Sequence, residues 1–263
     1  MTLYNLDFLS RLLCKANPPS ILYRYRRANE WALKELSNHE VHLARPQDLN
    51  DPFEYAAPLS IDIHKLKAAF ISYAQESLNM DLLSAKKEAD TVGPAHLDLL
   101  RKGLSSIRDS SGLICCSATP KSNRMWAYYG DGHKGICIGY QTDFPPFRFA
   151  MSVIYQDLRG PIDLIDTLKR DPTDCCDHIS RRKGTEWAFE QEFRIPVGPI
   201  PENHTRMLPV SPECITEVRL GARIEPDFKR QVVAAISNLH HRPKVIQMGC
   251  DLDHFVLTET ECR

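Results

Sequence analysis

Trp187-Ala188-Phe189-Glu190-Gln191-Glu192-Phe193-Arg194-Ile195-Pro196 alternates apolar and polar residues with a period of two, the pattern of a half-buried strand. That spacing places Ala188, Glu190, Glu192 and Arg194 on one face and Trp187, Phe189, Phe193 and Ile195 on the other. Two carboxylates one step apart on a strand face lie about 7 Å from each other, and like charges that close carry a cost. A solvated outer face explains them without any chemistry. A paired acidic site explains them with it, and the rest of the chain decides between the two.

Around this stretch the 263-residue chain has the make-up of a globular protein, with 43% hydrophobic residues and enough length for one elaborate domain or two small ones. Its 33 lysines and arginines nearly balance 34 aspartates and glutamates, so no overall field directs it to nucleic acid or to a membrane surface. The nine cysteines are odd in number, include the adjacent pairs Cys115-Cys116 and Cys175-Cys176, and never adopt C-x-x-C spacing. Reduced thiols in a reducing compartment follow, not a disulfide framework or a thiolate zinc site. Asp7 and Arg11 interrupt the N-terminal apolar run before it reaches signal-peptide length. No stretch approaches ~18 apolar residues. The expectation is a cytoplasmic protein with no membrane segment.

Leu3, Leu6, Leu9, Leu12 and Leu13 keep helical spacing up to Pro18-Pro19, so residues 1–19 read as an amphipathic helix that docks on its own body or on a partner. Residues 20–263 read as one domain. It opens on the strand Ile21–Arg27, with Leu22, Arg24 and Arg26 on one face and Tyr23 and Tyr25 on the other. A helix at Asn29–Ser37, a strand at Glu40–Ala44 and a turn at Pro46–Glu54 follow, where Asn50 and Asp51 cap backbone groups. Residues 60–110 form a helical insertion of two or three helices, broken at Gly93-Pro94. Strands return at Leu113–Ser117, Lys134–Tyr140 and Phe149–Tyr155, with a short helix capped by Ser122 or Asn123 between the first two. Gly135 and Gly139 allow a backbone or a ligand to approach one face closely. Residues 162–183 read as mostly helical. The tail supplies strands at Ile215–Leu220, Lys244–Met248 and Phe255–Thr260 and a helix at Pro226–His240. Strands, helical insert, strands, one helix and strands, in that order, give an α+β fold with a largely antiparallel sheet.

No histidine pair has the spacing of a hydrolytic zinc site, and no P-loop occurs. Cys115 and Cys116 lie in an apolar strand, where structural thiols are the rule. Arg24, Arg26 and Arg27 around Tyr23 and Tyr25 can grip a phosphate, because guanidinium presents paired donors and an aromatic ring can stack a base. Two further readings stay open. One is a non-catalytic module that binds a nucleotide or nucleic acid through this arginine strand. The other is a metal-dependent nuclease built from Glu190, Glu192 and an aspartate such as Asp51.

The segments LYRYR, NDPFE, CCS, MWAYYGDGHKGICIGY and WAFEQEFR together resemble a widespread bacterial family catalogued as a domain of unknown function, over residues 21 to about 240. In mechanism, the order of an arginine on the first strand, a strand-end serine and E-x-E on a later strand resembles the arginine-serine-glutamate ADP-ribosyltransferases. Tyr23-Arg24, Cys116-Ser117 and Glu190-Gln191-Glu192 carry that likeness. Two positions depart from it: Cys116 and Ala118 replace the hydroxyls that usually flank the serine, and Tyr25 replaces a small residue after the arginine. The resemblance implies a split antiparallel sheet of ADP-ribosyltransferase-like type and NAD as substrate, with no metal. It implies transfer of ADP-ribose to a protein or nucleic-acid acceptor, or NAD hydrolysis, in a toxin or antiviral defence effector, with an antitoxin or chaperone as a further partner. Under it Glu192 stabilises the ribosyl cation and Glu190 orients or deprotonates the acceptor. Arg24, with Arg26 in reserve, holds the pyrophosphate, and Ser117 positions the nicotinamide half. Tyr25, Trp126 and Tyr129 are the stacking candidates, and His133 touches a ribose or phosphate. Arg181-Arg182-Lys183 is a basic cluster that would suit a nucleic-acid acceptor.

Overall fold

The structure is a computed structural model that describes residues 16–55, 59–60, 62–160, 162–163, 165, 179–237, 239 and 241–262. The N-terminal amphipathic segment up to residue 15, and most of the helical reading of 162–183, lie outside the described residues.

An eight-stranded sheet forms the body. In chain order its strands are β1 (Ile21–Arg26), β4 (Gly112–Ser117), β5 (Ile136–Gln141), β6 (Met151–Ser152), β10 (Glu192–Val197), β12 (Ile215–Leu220), β13 (Lys244–Cys250) and β14 (Leu257–Cys262). They lie side by side as β14-β13-β12-β5-β1-β4-β10-β6. Every neighbouring pair is antiparallel except β12 and β13. A parallel pair needs a crossover, and the helix Pro226–Ser237 supplies it. The strands missing from that series are short: β2 (Glu40–His42) pairs with β11 (Met207–Pro209), β3 (Leu59–Ser60) with β8 (Ile162–Asp163), and β7 (Ile154–Tyr155) with β9 (Arg182–Lys183). The fold is α+β with a largely antiparallel sheet, as the order of sequence patterns implies.

The sheet is joined unevenly. β1 runs beside β5 along its whole length, and β10 beside β4 along theirs. β1 and β4 meet at one residue pair, Tyr23 opposite Ser117. The two halves therefore part next to that pair, and the parting is where the candidate site opens.

Each face has its own packing. Leu22, Ile114, Cys116, Ile136, Ile138, Tyr140, Ile195, Val218 and Leu220 point to the side covered by α1 (Glu30–Asn38) and the crossover helix, with Ala32, Leu36, Phe228 and Val232 closing the core. Asn29 starts α1 by accepting the Ala32 N–H. On the other face Tyr25, Met125, Trp126, Cys137 and Met248 form a smaller cluster under the short helix Asn123–Tyr128, which Ser122 caps. Polar residues occupy the rest of that face. The insertion consists of α2 (Ile63–Ser77), α3 (Leu82–Asp90) and α4 (Pro94–Ser110), counted after α1. Asp62 and Asp81 cap the first two, and Pro94 opens the third. Lys65 of α2 ties the insertion to β8 through Asp163 at 2.6 Å. Among the described residues no helix is long and apolar enough to cross a membrane.

Three readings of the sequence change. Thr185–Glu190 is a 3-10 helix, so the strand begins only at Glu192, after Gln191 turns with φ 44° and ψ 52°. Phe149–Tyr155 is not one strand: Phe147–Phe149 is 3-10, and β6 and β7 are separate two-residue strands pairing with different partners. The ends of the 162–183 segment pair as strands β8 and β9. In the last two places long-range pairing overrides the local period.

Gly135 and Gly103 give opposite expectations. A Cβ on Gly135 would sit 1.9 Å from the Arg26 carbonyl oxygen, whereas one on Gly103, inside α4, meets nothing within 4 Å. Gly103→Ala should raise stability by about 0.5–1 kcal/mol from helix propensity, and Gly135→Ala should lower it because backbone must move. Urea denaturation of both variants checks this, and equal effects would contradict the close approach at Gly135.

Candidate functional site

The Lys183 side chain on β9 is almost wholly buried and points its ammonium at three carboxylates. Nζ lies 2.5 Å from Glu190, 3.0 Å from Glu54 and 3.3 Å from Glu192. Arg194, two residues along the strand from Glu192 and therefore on the same face, donates to both Glu192 oxygens at 2.8 Å and also binds Glu54. Its remaining nitrogen donates to the Ser180 carbonyl at 2.8 Å. Five ionisable groups thus share one buried cluster with three negative partners and two positive ones.

Three hydrogen bonds build the turn that presents Glu190. Ser117, at the end of β4, donates its hydroxyl to the Glu190 carbonyl at 2.6 Å, and the Ala118 N–H donates to the Gln191 carbonyl at 2.9 Å. The Glu192 N–H donates to the Tyr155 hydroxyl at 2.8 Å. The Glu190 carboxylate accepts from the Tyr129 hydroxyl at 2.6 Å, and that hydroxyl accepts from the Asn50 amide at 2.8 Å. Trp187 and Phe189 hold the turn from outside, with the Lys183 ammonium 4.8 Å above Trp187 and Arg124 5.2 Å above Phe189.

Burial, and then the neighbouring Glu192, raise the Glu190 carboxyl to about 7. Burial alone would raise Glu192 too, but Arg194 and Lys183 hold it down to about 2. Burial opposes the charge on Lys183, yet the three glutamates keep its ammonium charged. Burial and Glu190 push the Tyr129 phenol well above its usual range, so it stays a donor. Burial, and then Glu192, push the Cys115 thiol well up, and Cys116 rises to about 12 by burial. Neither sulfur is a nucleophile in this setting.

The cluster opens on a cleft of about 120 Å³ whose walls include Tyr23 and Tyr25 of β1, Ser117 of β4, Met125 and Tyr129. That volume takes one ring, well below the ~300–1,000 Å³ of a site enclosing a whole drug-sized ligand.

Of the residues expected from the sequence, Glu190, Glu192, Ser117, Tyr25 and Tyr129 meet at this cleft. Arg24 and Arg26 do not. They leave the opposite face of β1 and pair with Glu35 of α1, Arg24 at 3.4 Å. The alternation of β1 requires this, since Tyr25 sits between them. Trp126 is fully buried, donates to the Pro120 carbonyl at 2.8 Å and packs edge-on against Tyr25, so it is core. His133 stacks on Trp126 with centroids 6.2 Å apart and is not among the residues lining the carboxylate cleft. Ser117 reaches the site but spends its hydroxyl on backbone. Asp51 caps the Phe53 N–H at 2.9 Å and is not part of the carboxylate cluster. The carboxylates that would form a nuclease site instead hold Lys183 and Arg194. Among the described residues no group of histidine, cysteine, aspartate or glutamate side chains is arranged to hold a metal ion.

The sequence pattern did not place Glu54, Lys183, Asn50 or Tyr155 at this site: Lys183 was read as part of a basic cluster and Asn50 as a backbone cap, and Arg194 had no role. Only Arg194 carried a local signal, from its place on the same strand face as Glu192. Comparison of the chain with protein-family models, with curated proteins and with solved structures finds no match.

The sign of the pH dependence follows from the carboxyls of the cluster, in which burial raises Glu54 in the same direction as Glu190. Glu190, raised in the folded state, adds stability below its unfolded range near 4.5 that is lost as pH rises through about 7. Glu192, lowered, adds stability above that range that is lost as pH falls toward about 2. Stability should therefore fall between pH 5 and 8 in the native protein by on the order of 3 kcal/mol, and much less in Glu190→Gln. Denaturation midpoints across that range test this, and parallel curves would contradict it. Lys183→Met should cost roughly 3–5 kcal/mol, because it leaves buried carboxylates unpaired.

Proposed function

We propose that this protein is an NAD-consuming enzyme that cleaves the bond between nicotinamide and ribose and passes ADP-ribose to an acceptor or to water. The supporting observation is the pair of buried carboxyls whose affinities for a proton are driven apart, Glu190 up to about 7 and Glu192 down to about 2, at the wall of a ring-sized cleft. Such separation is what acid–base chemistry at neutral pH requires.

The charge count gives each residue a part. With Glu190 ionised, the cluster carries one net negative charge beside the cleft. When the C1′–N bond breaks, its electron pair leaves with nicotinamide as a neutral molecule, so no acid is needed. The sugar becomes an oxocarbenium ion, as in glycoside cleavage. Glu190 then stabilises that cation and takes the proton of the incoming acceptor hydroxyl or water as it bonds to C1′. Glu192, gripped at both oxygens by Arg194, is a positioning residue in this scheme, and Lys183 sets the charge balance. Glu190 thus keeps the acceptor-deprotonating role expected for it from the sequence and takes over the cation-stabilising role expected for Glu192. Tyr129 orients the Glu190 carboxyl, and Tyr23 or Tyr25 offers a ring face to the nicotinamide.

Nicotinamide release from NAD tests the reading. Glu190→Gln should lower the rate by roughly 100-fold or more with the fold retained, and the native rate should rise with pH to a plateau above about 7. Full activity in Glu190→Gln, or no release by folded protein with or without cell lysate, would overturn it.

A further inference from the structure

A second cleft, of about 450 Å³, lies at the end of β1 and shares Tyr25 and Tyr129 with the carboxylate cleft. We propose that this second cleft binds the phosphate and the second aromatic ring of a nucleotide whose first ring occupies the carboxylate cleft. The proposal rests on the NAD reading above and supplies the anchor that Arg24 cannot provide from within the carboxylate cleft.

Its size lies within the ~300–1,000 Å³ typical of small-molecule sites. Its charge is positive. Arg26 and Arg27 line it, and the Arg27 side chain has no ion-pair or hydrogen-bond partner among the described residues. Arg24 and Arg26 share one carboxylate, Glu35, so two guanidinium charges meet one negative charge. Arg24 is 6% exposed. Its Nη1 has no hydrogen-bond partner, while its other nitrogens approach Glu35 and the His42 carbonyl, both residues of the cleft wall. Burial first, and then Arg26 and Arg24, hold the His42 imidazole below its usual range, with Glu35 acting against them. Glu30, nearby at the start of α1, is paired with Lys34 at 3.0 Å. Arg24 itself does not line the cleft, so Arg26 and Arg27 are the guanidiniums that an anion there would meet, and guanidinium groups favour phosphate.

The aromatic component is Trp31, 59% exposed on the same wall with the Lys34 ammonium 4.5 Å from its ring. A large exposed indole beside arginines gives a base a surface to stack on. The carboxylate cleft has a ring-sized volume but no unpaired cation, and the second cleft has cations and an aromatic wall but no reactive carboxyl. Tyr25 and Tyr129 stand between the two.

Calorimetric titration with ADP-ribose, AMP and adenosine tests the site. ADP-ribose and AMP should bind, adenosine roughly tenfold or more weakly, and Arg27→Glu and Trp31→Ala should each weaken ADP-ribose by roughly tenfold or more. Both side chains are exposed, so the variants should fold. Equal affinity for adenosine and AMP, or ADP-ribose binding unchanged in either variant, would overturn the proposal. The two readings fail separately. ADP-ribose binding through Arg27 without nicotinamide release supports this cleft and removes the cleavage reading. Nicotinamide release with KM for NAD unchanged in Arg27→Glu leaves cleavage standing and overturns this cleft.

Discussion

Three carboxylates buried against two cations cannot all be ionised without leaving a net charge in the interior. That imbalance is the constraint on which the candidate site depends. Glu54 comes from the loop after β2, Lys183 from β9, Glu190 from a 3-10 turn, and Glu192 and Arg194 from β10. Segments that are distant in the chain meet because each brings a charge that the others must neutralise. Ion pairs in such a place add little net stability over apolar packing, but breaking one is expensive. The cluster therefore fixes which loops lie where, and it stores one proton's worth of adjustable charge beside a cleft.

The far side of β1 carries the opposite imbalance. There one buried carboxylate, Glu35, faces Arg24 and Arg26, and Tyr140 donates to it at 2.7 Å. Strand alternation alone sends arginines one way and tyrosines the other, so a single strand separates a negative site from a positive one. The parting of β1 from β4 leaves room for the first cleft, and the end of β1 leaves room for the second. Tyr25 is common to both. A ligand with a cationic ring at one end and phosphates at the other matches that polarity.

Much of the sheet was legible because its strands keep a strict period of two and its helices carry recognisable caps. The sorting of Arg24 and Arg26 from Tyr23 and Tyr25 is visible in the sequence, and it already forbids Arg24 from sharing the Tyr25 face. Glu190 and Glu192 do converge, though for a different reason from the one their spacing suggests: the chain folds back through Gln191, and Ser117 secures the turn. Lys183 was illegible because it ends a run of three basic residues that reads as a cluster suited to a nucleic-acid acceptor. Its burial is decided by β7, which pairs with it across 27 or more intervening residues. Glu54 looked like turn chemistry, since nothing near it in sequence shows that Arg194 lies against it. Trp126 sat where a stacking ring was expected, but Tyr25 and Met125 surround it as core.

The proposed chemistry depends on Glu190 keeping its proton near neutrality while Glu192 does not. Carbon-13 NMR of the glutamate side-chain carboxyls, followed against pH and assigned with Glu190→Gln and Glu192→Gln, measures it directly. The expected result is a Glu190 transition centred near 7 and a Glu192 signal that stays ionised down to strongly acidic pH. A Glu190 transition in the ordinary carboxylate range, around 4 to 5, would contradict it.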